Sequence, residues 1–280
     1  VKLTYHSANH RLMCHHCGHS QPLPPACPSC GGILNFIGTG TQRVQEELGE
    51  LFPYAQVLRM DTDTVSAAHP HEELLDRFRK EKIPVLVGTQ MVAKGLDFEN
   101  VTLVGVIAPD LSLYVDDFRA GERTFSLLTQ VVGRSGRFDL PGRAFIETAQ
   151  PHNPVFALAS AQDYEAFYRE EILFRKVNLY PPFCSLLTSQ FTSVSEVDSH
   201  AGARLFARLF TRLAQAEYAD LPIRMLGPAG DTLYRVAGKY RCHLILKCRN
   251  DRRMRELTRR VLEQFYTQAP AGVQAIPDLD

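Results

Sequence analysis

Long apolar runs are missing from this chain. No stretch of 18 apolar residues occurs in its 280, so the sequence offers no membrane-spanning helix. Residues 1–20 hold no apolar core of the kind a secretory signal requires. An excess of charge is missing too: 31 basic and 31 acidic side chains cancel. That excludes binding nucleic acid through bulk charge and requires any such contact to be local. Internal repeats and low-complexity tracts are absent. What is present, 45% hydrophobic and 22% charged residues, is ordinary globular composition. The length accommodates two ordinary domains and a small appendage. The chain runs from Val1 to Asp280 without a tail, and we expect it to be a piece of a longer protein.

Seven cysteines occur, four of them between positions 14 and 30. An odd total, C-x2-C pairing and no secretory signal point to a reducing compartment and a metal rather than disulfides. Cys14-His-His-Cys17 and Cys27-Pro-Ser-Cys30 each place two thiols where a tight turn aims both at one ion. Gly18 and Gly31-Gly32 supply the permissive backbone after each pair. Zn2+ suits four soft ligands and lets a coreless segment fold. The nine residues between the pairs are fewer than the roughly 15–20 of the usual ribbon. Two arrangements therefore stay open: one closed site of four cysteines, or two half-sites completed by upstream sequence. His6, His10, His15, His16 and His19 are available as substitutes, although each by itself reads as a solvated surface residue.

Residues 1–36 form this Cys-rich zinc-binding segment. From there the pattern changes to alternation: helix 41–52, strand 56–60, helix 71–82, strands 84–88 and 101–108, helix 120–133, strand 143–148. Short apolar strands between helices imply an α/β domain, residues 37–150, with a parallel sheet covered on both faces. Pro151 and Pro154 mark a boundary. Residues 151–280 follow with a helix at 155–177 and the stiff segment Tyr180-Pro-Pro-Phe183, expected as an extended linker. Strand 184–192, helix 196–216, strands 222–227 and 240–248, helix 251–267 and strand 272–278 complete an α+β split-βαβ (ferredoxin-like) order. Cys184, Cys242 and Cys248 fall on its strands as core residues.

Two segments carry chemistry. Gly88-Thr-Gln-Met-Val-Ala-Lys-Gly-Leu-Asp-Phe98 directly follows a strand, at the sheet edge where ligands bind. Gln130-Val-Val-Gly-Arg134-Ser-Gly-Arg137 ends a helix with two glycine-flanked arginines, bidentate donors for a phosphate. Together they resemble motif V (T-x5-G-x-D) and motif VI (Q-x2-G-R-x-G-R) of superfamily 2 helicases. Asp117-Phe-Arg-Ala-Gly-Glu-Arg123 with Leu127-Leu-Thr-Gln130 narrows the resemblance to the PriA family of replication restart helicases (primosomal protein N′). The paired cysteines before the lobe, Tyr180-Pro-Pro-Phe183, Leu226-Gly-Pro228, Tyr240-Arg241 and Asp278-Leu-Asp280 continue it over essentially the whole chain.

The resemblance implies a RecA-like second helicase lobe between the zinc segment and the split-βαβ domain. It further implies 3′-to-5′ DNA translocation driven by ATP with Mg2+, and restart of replication at stalled or branched forks by primosome assembly. By matching positions, Arg134 and Arg137 would meet the γ-phosphate and Gln130 would orient them. Gly95 and Asp97 would approach the nucleotide, and Thr89 and Gln90 the single-strand backbone. Lys94 reads equally as a phosphate contact or a surface charge. Arg119, Glu122 and Arg123 fit an interdomain salt-bridge network at least as well as catalysis. The family's last C-x2-C pair joins its first and the two middle pairs join each other, so Cys14/Cys17 and Cys27/Cys30 would each be half of one of two zinc sites. Implied partners are branched and single-stranded DNA, single-strand DNA-binding protein and proteins that load the replicative helicase, in the bacterial cytoplasm and nucleoid.

No G-x4-G-K-[ST] loop and no Asp-Glu metal motif of the helicase type occurs. The phosphate cradle and the Mg2+ carboxylates would have to come from another lobe, and the chain alone should not hydrolyse ATP. The rival reading is a non-enzymatic zinc-ribbon protein that binds nucleic acid. It has no use for the arginine pair, so Q-x2-G-R-x-G-R argues against it. In the last domain, Gly238-Lys-Tyr-Arg241 is the best basic-aromatic candidate for nucleic-acid contact. Arg252, Arg253, Arg255, Arg259 and Arg260 line one helix, either tracking phosphates or forming a solvated face.

Overall fold

The computed structural model describes residues 4–6, 11–13, 20–28, 30–33, 40–61, 71–93, 101–133 and 142–279. The chain divides into two units, Asn35–Glu171 and Val1–Leu34 with Ile172–Asp280. Near the N-terminus, β1 (Thr4–His6), β2 (Arg11–Met13) and β3 (Ser20–Pro22) form an antiparallel meander. The Arg11 Nε donates to Ser20 Oγ at 2.9 Å, tying β2 to β3. Strands of three residues bury too little to fold unaided, which suits a segment organised by a metal.

In the unit Asn35–Glu171, helices and strands alternate. The order is α1 (Thr41–Leu51), β4 (Val57–Met60), α2 (His71–Lys80), β5 (Val85–Gly88), α3 (Gln90–Ala93) and β6 (Leu103–Ile107). Then come α4 (Asp110–Leu113), α5 (Ala120–Val132), β7 (Arg143–Glu147), α6 (Pro154–Ser160) and α7 (Tyr164–Asn178). β4 and β5 pair in parallel with Met60 opposite Gly88, and β6 and β7 pair in parallel from Leu103–Arg143 to Ile107–Glu147. Parallel pairing demands crossover connections, and the intervening helices supply them. Phe125 and Leu128 of α5 pack with Leu113, Phe156, Ala159 and Phe167, against Val106 and Ile146 of the β6–β7 pair. The Phe125 and Phe167 rings stack with centroids 4.1 Å apart. The other face of that pair, Leu103, Ile107 and Phe145, is exposed, so cover on both faces is not found there among the described residues.

In the unit that holds the C-terminus, β8 (Ser185–Ser193), α8 (Glu196–Glu217), β9 (Arg224–Val236), β10 (Lys239–Cys248), α9 (Arg252–Gln268) and β11 (Gln274–Leu279) form the split-βαβ fold. The antiparallel sheet has the order β11-β8-β10-β9. Side chains start both helices: Ser195 Oγ accepts the Asp198 N–H (3.2 Å) and an Asp251 carboxylate oxygen accepts the Met254 N–H (2.9 Å). Phe191, Phe206, Phe210 and Phe265 are fully buried between helices and sheet, with Cys242 and Cys248 beside them.

Four expectations change. The helix expected over 155–177 is two helices, because Gln162 adopts a left-handed conformation (φ 54°) and Asp163 accepts the Ala166 N–H at 3.0 Å, restarting the spiral. The strand expected over 222–227 runs on to Val236 and turns through Ala237 and Gly238 (φ 49° and 79°), a hairpin with both central residues left-handed. Tyr180-Pro-Pro-Phe183 is a turn closed by the Phe183 N–H donating to the Tyr180 carbonyl (2.9 Å), not an extended linker. Beside it Cys184 is half-buried, its thiol donating to the Leu179 carbonyl, rather than in the core. The buried Lys247 holds this turn: its ammonium donates to the Asn178 carbonyl at 2.6 Å and lies 3.6 Å from the Tyr180 ring centroid.

The fully buried Phe206 touches the rings of Phe191, Phe210 and Phe265. Phe206→Ala should therefore lower the stability of this unit by about 3–5 kcal/mol, read from urea unfolding followed by circular dichroism.

Candidate nucleotide and DNA site

At the C-terminal edge of the β4–β5 pair the two backbones come very close. A Cβ on Gly88 would lie 2.6 Å from the Met60 carbonyl oxygen and 2.2 Å from Val92 Cγ2, so only glycine fits. The chain then turns at once into α3, with Thr89 O accepting the Val92 N–H at 3.0 Å. Thr89 and Gln90 are exposed at this edge, where ligands of parallel sheets bind. α3 packs against α5, and Gln130 is exposed in the last turn of α5. That helix ends at Gly133, whose N–H donates to the Thr129 carbonyl at 3.0 Å. The structure thus brings the helices carrying Gln90 and Gln130 together. Lys94, Gly95, Asp97, Arg134 and Arg137 lie outside the described residues.

The Asp117–Arg123 signature folds on itself at the start of α5. Arg119 donates to Asp117 Oδ1 from its backbone N–H (2.9 Å) and from Nε (3.2 Å), and Arg123 Nη1 lies 2.8 Å from Oδ2. Burial pushes the Asp117 pKa up, but the Arg119 N–H and the two guanidiniums outweigh it and hold the carboxyl below its usual value. These ion pairs lie within one unit, where sequence suggested an interdomain network.

Sequence reading missed two buried carboxylates. Asp61 ends β4, accepts the Thr41 hydroxyl at the start of α1 and lies 3.2 Å from Arg59 Nε. Asp110, after β6, accepts the Thr148 hydroxyl (2.8 Å) and the Ala149 N–H (3.3 Å) beyond β7. Both stand just past the C-terminal ends of apolar strands and pin the chain at the ligand-facing edge. The available signal was an Asp closing or shortly following an apolar strand run, as in Val57-Leu-Arg-Met-Asp61 and Val106-Ile-Ala-Pro-Asp110.

In the Cys-rich segment, Cys14 and Cys17 lie outside the described residues. Cys27 and Cys30 sit on a tight loop closed by the Gly31 N–H to the Cys27 carbonyl and the Cys27 N–H to the Gly32 carbonyl, both 2.8 Å. Gly31 is left-handed (φ 71°), as the turn after a thiolate pair requires. Such a loop fits two ligands of a tetrahedral thiolate centre. Among the described residues no group of three or more His, Cys, Asp or Glu side chains gathers to hold a metal.

Comparison with known proteins follows this order of parts. A model of the PriA DNA helicase Cys-rich region matches residues 1–22, a helicase conserved C-terminal domain model matches 36–139, and a primosomal protein N C-terminal domain model matches 176–276. The chain is 41% identical over 266 residues to the replication restart protein PriA of Bacillus subtilis, covering 95% of the chain and 32% of that protein. It is 35% identical to that of Treponema pallidum (100% and 42%) and 39% identical to that of Chlamydia trachomatis (89% and 33%). The chain belongs to the PriA family. It spans between 32% and 42% of the length of these three relatives. Residues 36–139, which hold β4 to β6, thus form a helicase-type C-terminal lobe, and residues 176–276 form the PriA C-terminal domain seen as the split-βαβ fold. The first segment is of the PriA zinc-ribbon type, a match that takes in Cys14 and Cys17. No helix among the described residues is long and apolar enough to cross a membrane.

The Asp117 network has a pH signature. A carboxyl with a lowered folded pKa stabilises the fold only while ionised, so its contribution is present above the unfolded pKa and fades as pH falls through the folded one. Asp117→Asn should cost about 1 kcal/mol at neutral pH, the worth of a partly exposed charged hydrogen-bond pair. Thermal melts of both forms should converge as the buffer is taken below the ordinary aspartate range.

Proposed function

We propose that this chain is the second motor lobe, zinc segment and C-terminal domain of an ATP-dependent 3′-to-5′ DNA helicase that restarts replication at stalled or branched forks. The observation that carries the reading is the order of parts: a thiolate loop, then a parallel-strand lobe ending in Q-x2-G-R-x-G-R, then a split-βαβ domain. In this reading Arg134 and Arg137 stabilise charge on the transferring phosphoryl group of Mg2+-bound ATP, and Gln130 orients them. Gly95 and Asp97 approach the nucleotide, and Thr89, Gln90 and Lys94 meet the DNA backbone. The packing of α3 on α5 supports it, because it joins the helix that carries Gln90 to the helix that carries Gln130, just before the arginines in sequence. The sequence contains no phosphate-cradling loop, so the chain alone is inactive as an ATPase. Branched and single-stranded DNA, single-strand DNA-binding protein and loaders of the replicative helicase are its proposed partners, in the bacterial cytoplasm.

Cys14 and Cys17 form half of one zinc site and Cys27 and Cys30 half of another. Both sites are completed by cysteines elsewhere in the full-length protein, and zinc there supplies folding energy rather than chemistry. Metal quantification on the full-length protein should give two zinc ions per chain; one would refute the half-site arrangement.

The motor reading is tested on the full-length protein by Arg137→Ala. DNA-stimulated ATP hydrolysis should fall by about 10³-fold or more, with DNA affinity nearly unchanged. Turnover at the wild-type rate would exclude the finger role.

A further inference from the structure

The arginines of the C-terminal domain divide into two sets. On α9, Arg253 pairs with Asp220, Arg260 with Glu217 (Nη2–Oε1 2.7 Å) and Arg259 with Glu263, while Arg255 Nε donates to Asn250 Oδ1 at 2.9 Å. Three of the five arginines of that helix, a sequence candidate for tracking phosphates, thus carry carboxylate partners, while Arg252 and Arg255 have none among the described residues. On α8, Arg204, Arg208 and Arg212 stand four residues apart and exposed. No carboxylate among the described residues pairs with them, and Arg212 Nη2 donates instead to the neutral Gln264 amide oxygen at 2.7 Å. No acidic residue occurs in the sequence between Asp198 and Glu217. A helical rise of 1.5 Å per residue separates successive guanidinium stems by about 6 Å along the axis. Arg208 and Arg212 flank an open groove of about 600 Å3 lined also by Ala207, Thr211, Gln215 and Ala216.

We propose that this outer face of α8 binds the sugar–phosphate backbone of a nucleic-acid strand. The inference rests on the reading above that the chain works on DNA, and it names the surface. Three guanidiniums in a row without carboxylate partners give phosphate donors without the cost of breaking existing salt bridges, which α9 would incur. The open groove between them is floored by Ala207, Ala216 and the Thr211 methyl group, with the Gln215 amide beside them, a mostly apolar surface for sugar faces. An acidic peptide is the competing occupant. It needs a deeper pocket for an anchoring apolar side chain, and the groove has none.

The test uses the 280-residue chain, a labelled single-stranded oligonucleotide and its duplex form, with anisotropy titrations between about 50 and 200 mM salt. The triple variant Arg204→Gln, Arg208→Gln, Arg212→Gln should keep the wild-type melting curve. Its plot of log affinity against log salt should be shallower by about 2 to 3, at roughly 0.7–0.9 for each phosphate no longer neutralised. The α9 variant Arg253→Gln, Arg259→Gln, which removes only carboxylate-paired arginines, should keep the wild-type slope. A triple variant with an unchanged slope overturns the surface, as does one that keeps DNA affinity but no longer binds an Asp- and Glu-rich peptide. If the wild-type chain binds neither oligonucleotide, the DNA reading itself fails, and this surface with it.

Discussion

The lobe depends on one close approach. At the end of β5 the Gly88 backbone lies so near the Met60 carbonyl that no Cβ can intervene. That contact lets the two parallel strands finish level, at Met60 opposite Gly88, and forces the chain into α3 within one residue. Thr89 and Gln90 are exposed because of it: had the strand run on, they would alternate between the faces of the sheet. The carboxylates of Asp61 and Asp110 act at the C-terminal ends of β4 and β6 respectively. Each is almost fully buried and each binds a hydroxyl from another element. A buried carboxylate left without such donors would be costly, so these bonds hold the strand ends in register with the loops that follow.

Much of this was legible in the sequence. Apolar alternation located the strands and long helices from residue 41 on, because there the buried face repeats with the period of its element. The three-residue strands β1 to β3 carry too few residues to show a period. The failures share a cause. At Gln162–Asp163 and Ala237–Gly238 the chain breaks or extends through single left-handed residues that are not glycine or are only partly glycine, and hydrophobic period carries no information about them. Tyr180-Pro-Pro-Phe183 folds back where proline stiffness suggested extension, and the buried Lys247 ammonium that holds it comes from a strand far along the chain. The candidate site residues were picked out by motif rather than by hydrophobic period: Thr89 and Gln90 follow a strand end, Gln130 sits in a helix's last turn, and Cys27 and Cys30 lie on a tight loop. The Asp61 and Asp110 anchors escaped because a single Asp after a strand is a common event, given meaning only by partners 20 and 38 residues away.

Charge shows the same limit from another direction. The 31 cations and 31 anions cancel, and composition alone would call the surface indifferent to nucleic acid. Pairing in three dimensions separates what composition mixes. Asp220 and Glu217 reach α9 from the end of α8 and the loop after it, neutralising arginines 33 and 43 residues away. The same two acids leave the body of α8 without a counter-charge. Among the described residues, three arginines are therefore neutralised locally on α9 and none of Arg204, Arg208 and Arg212 on α8, although the two helices pack together. A surface with so few unmatched cations would neutralise few phosphates of a polyanion, and any affinity it conferred would fall with salt less steeply than that of a basic protein.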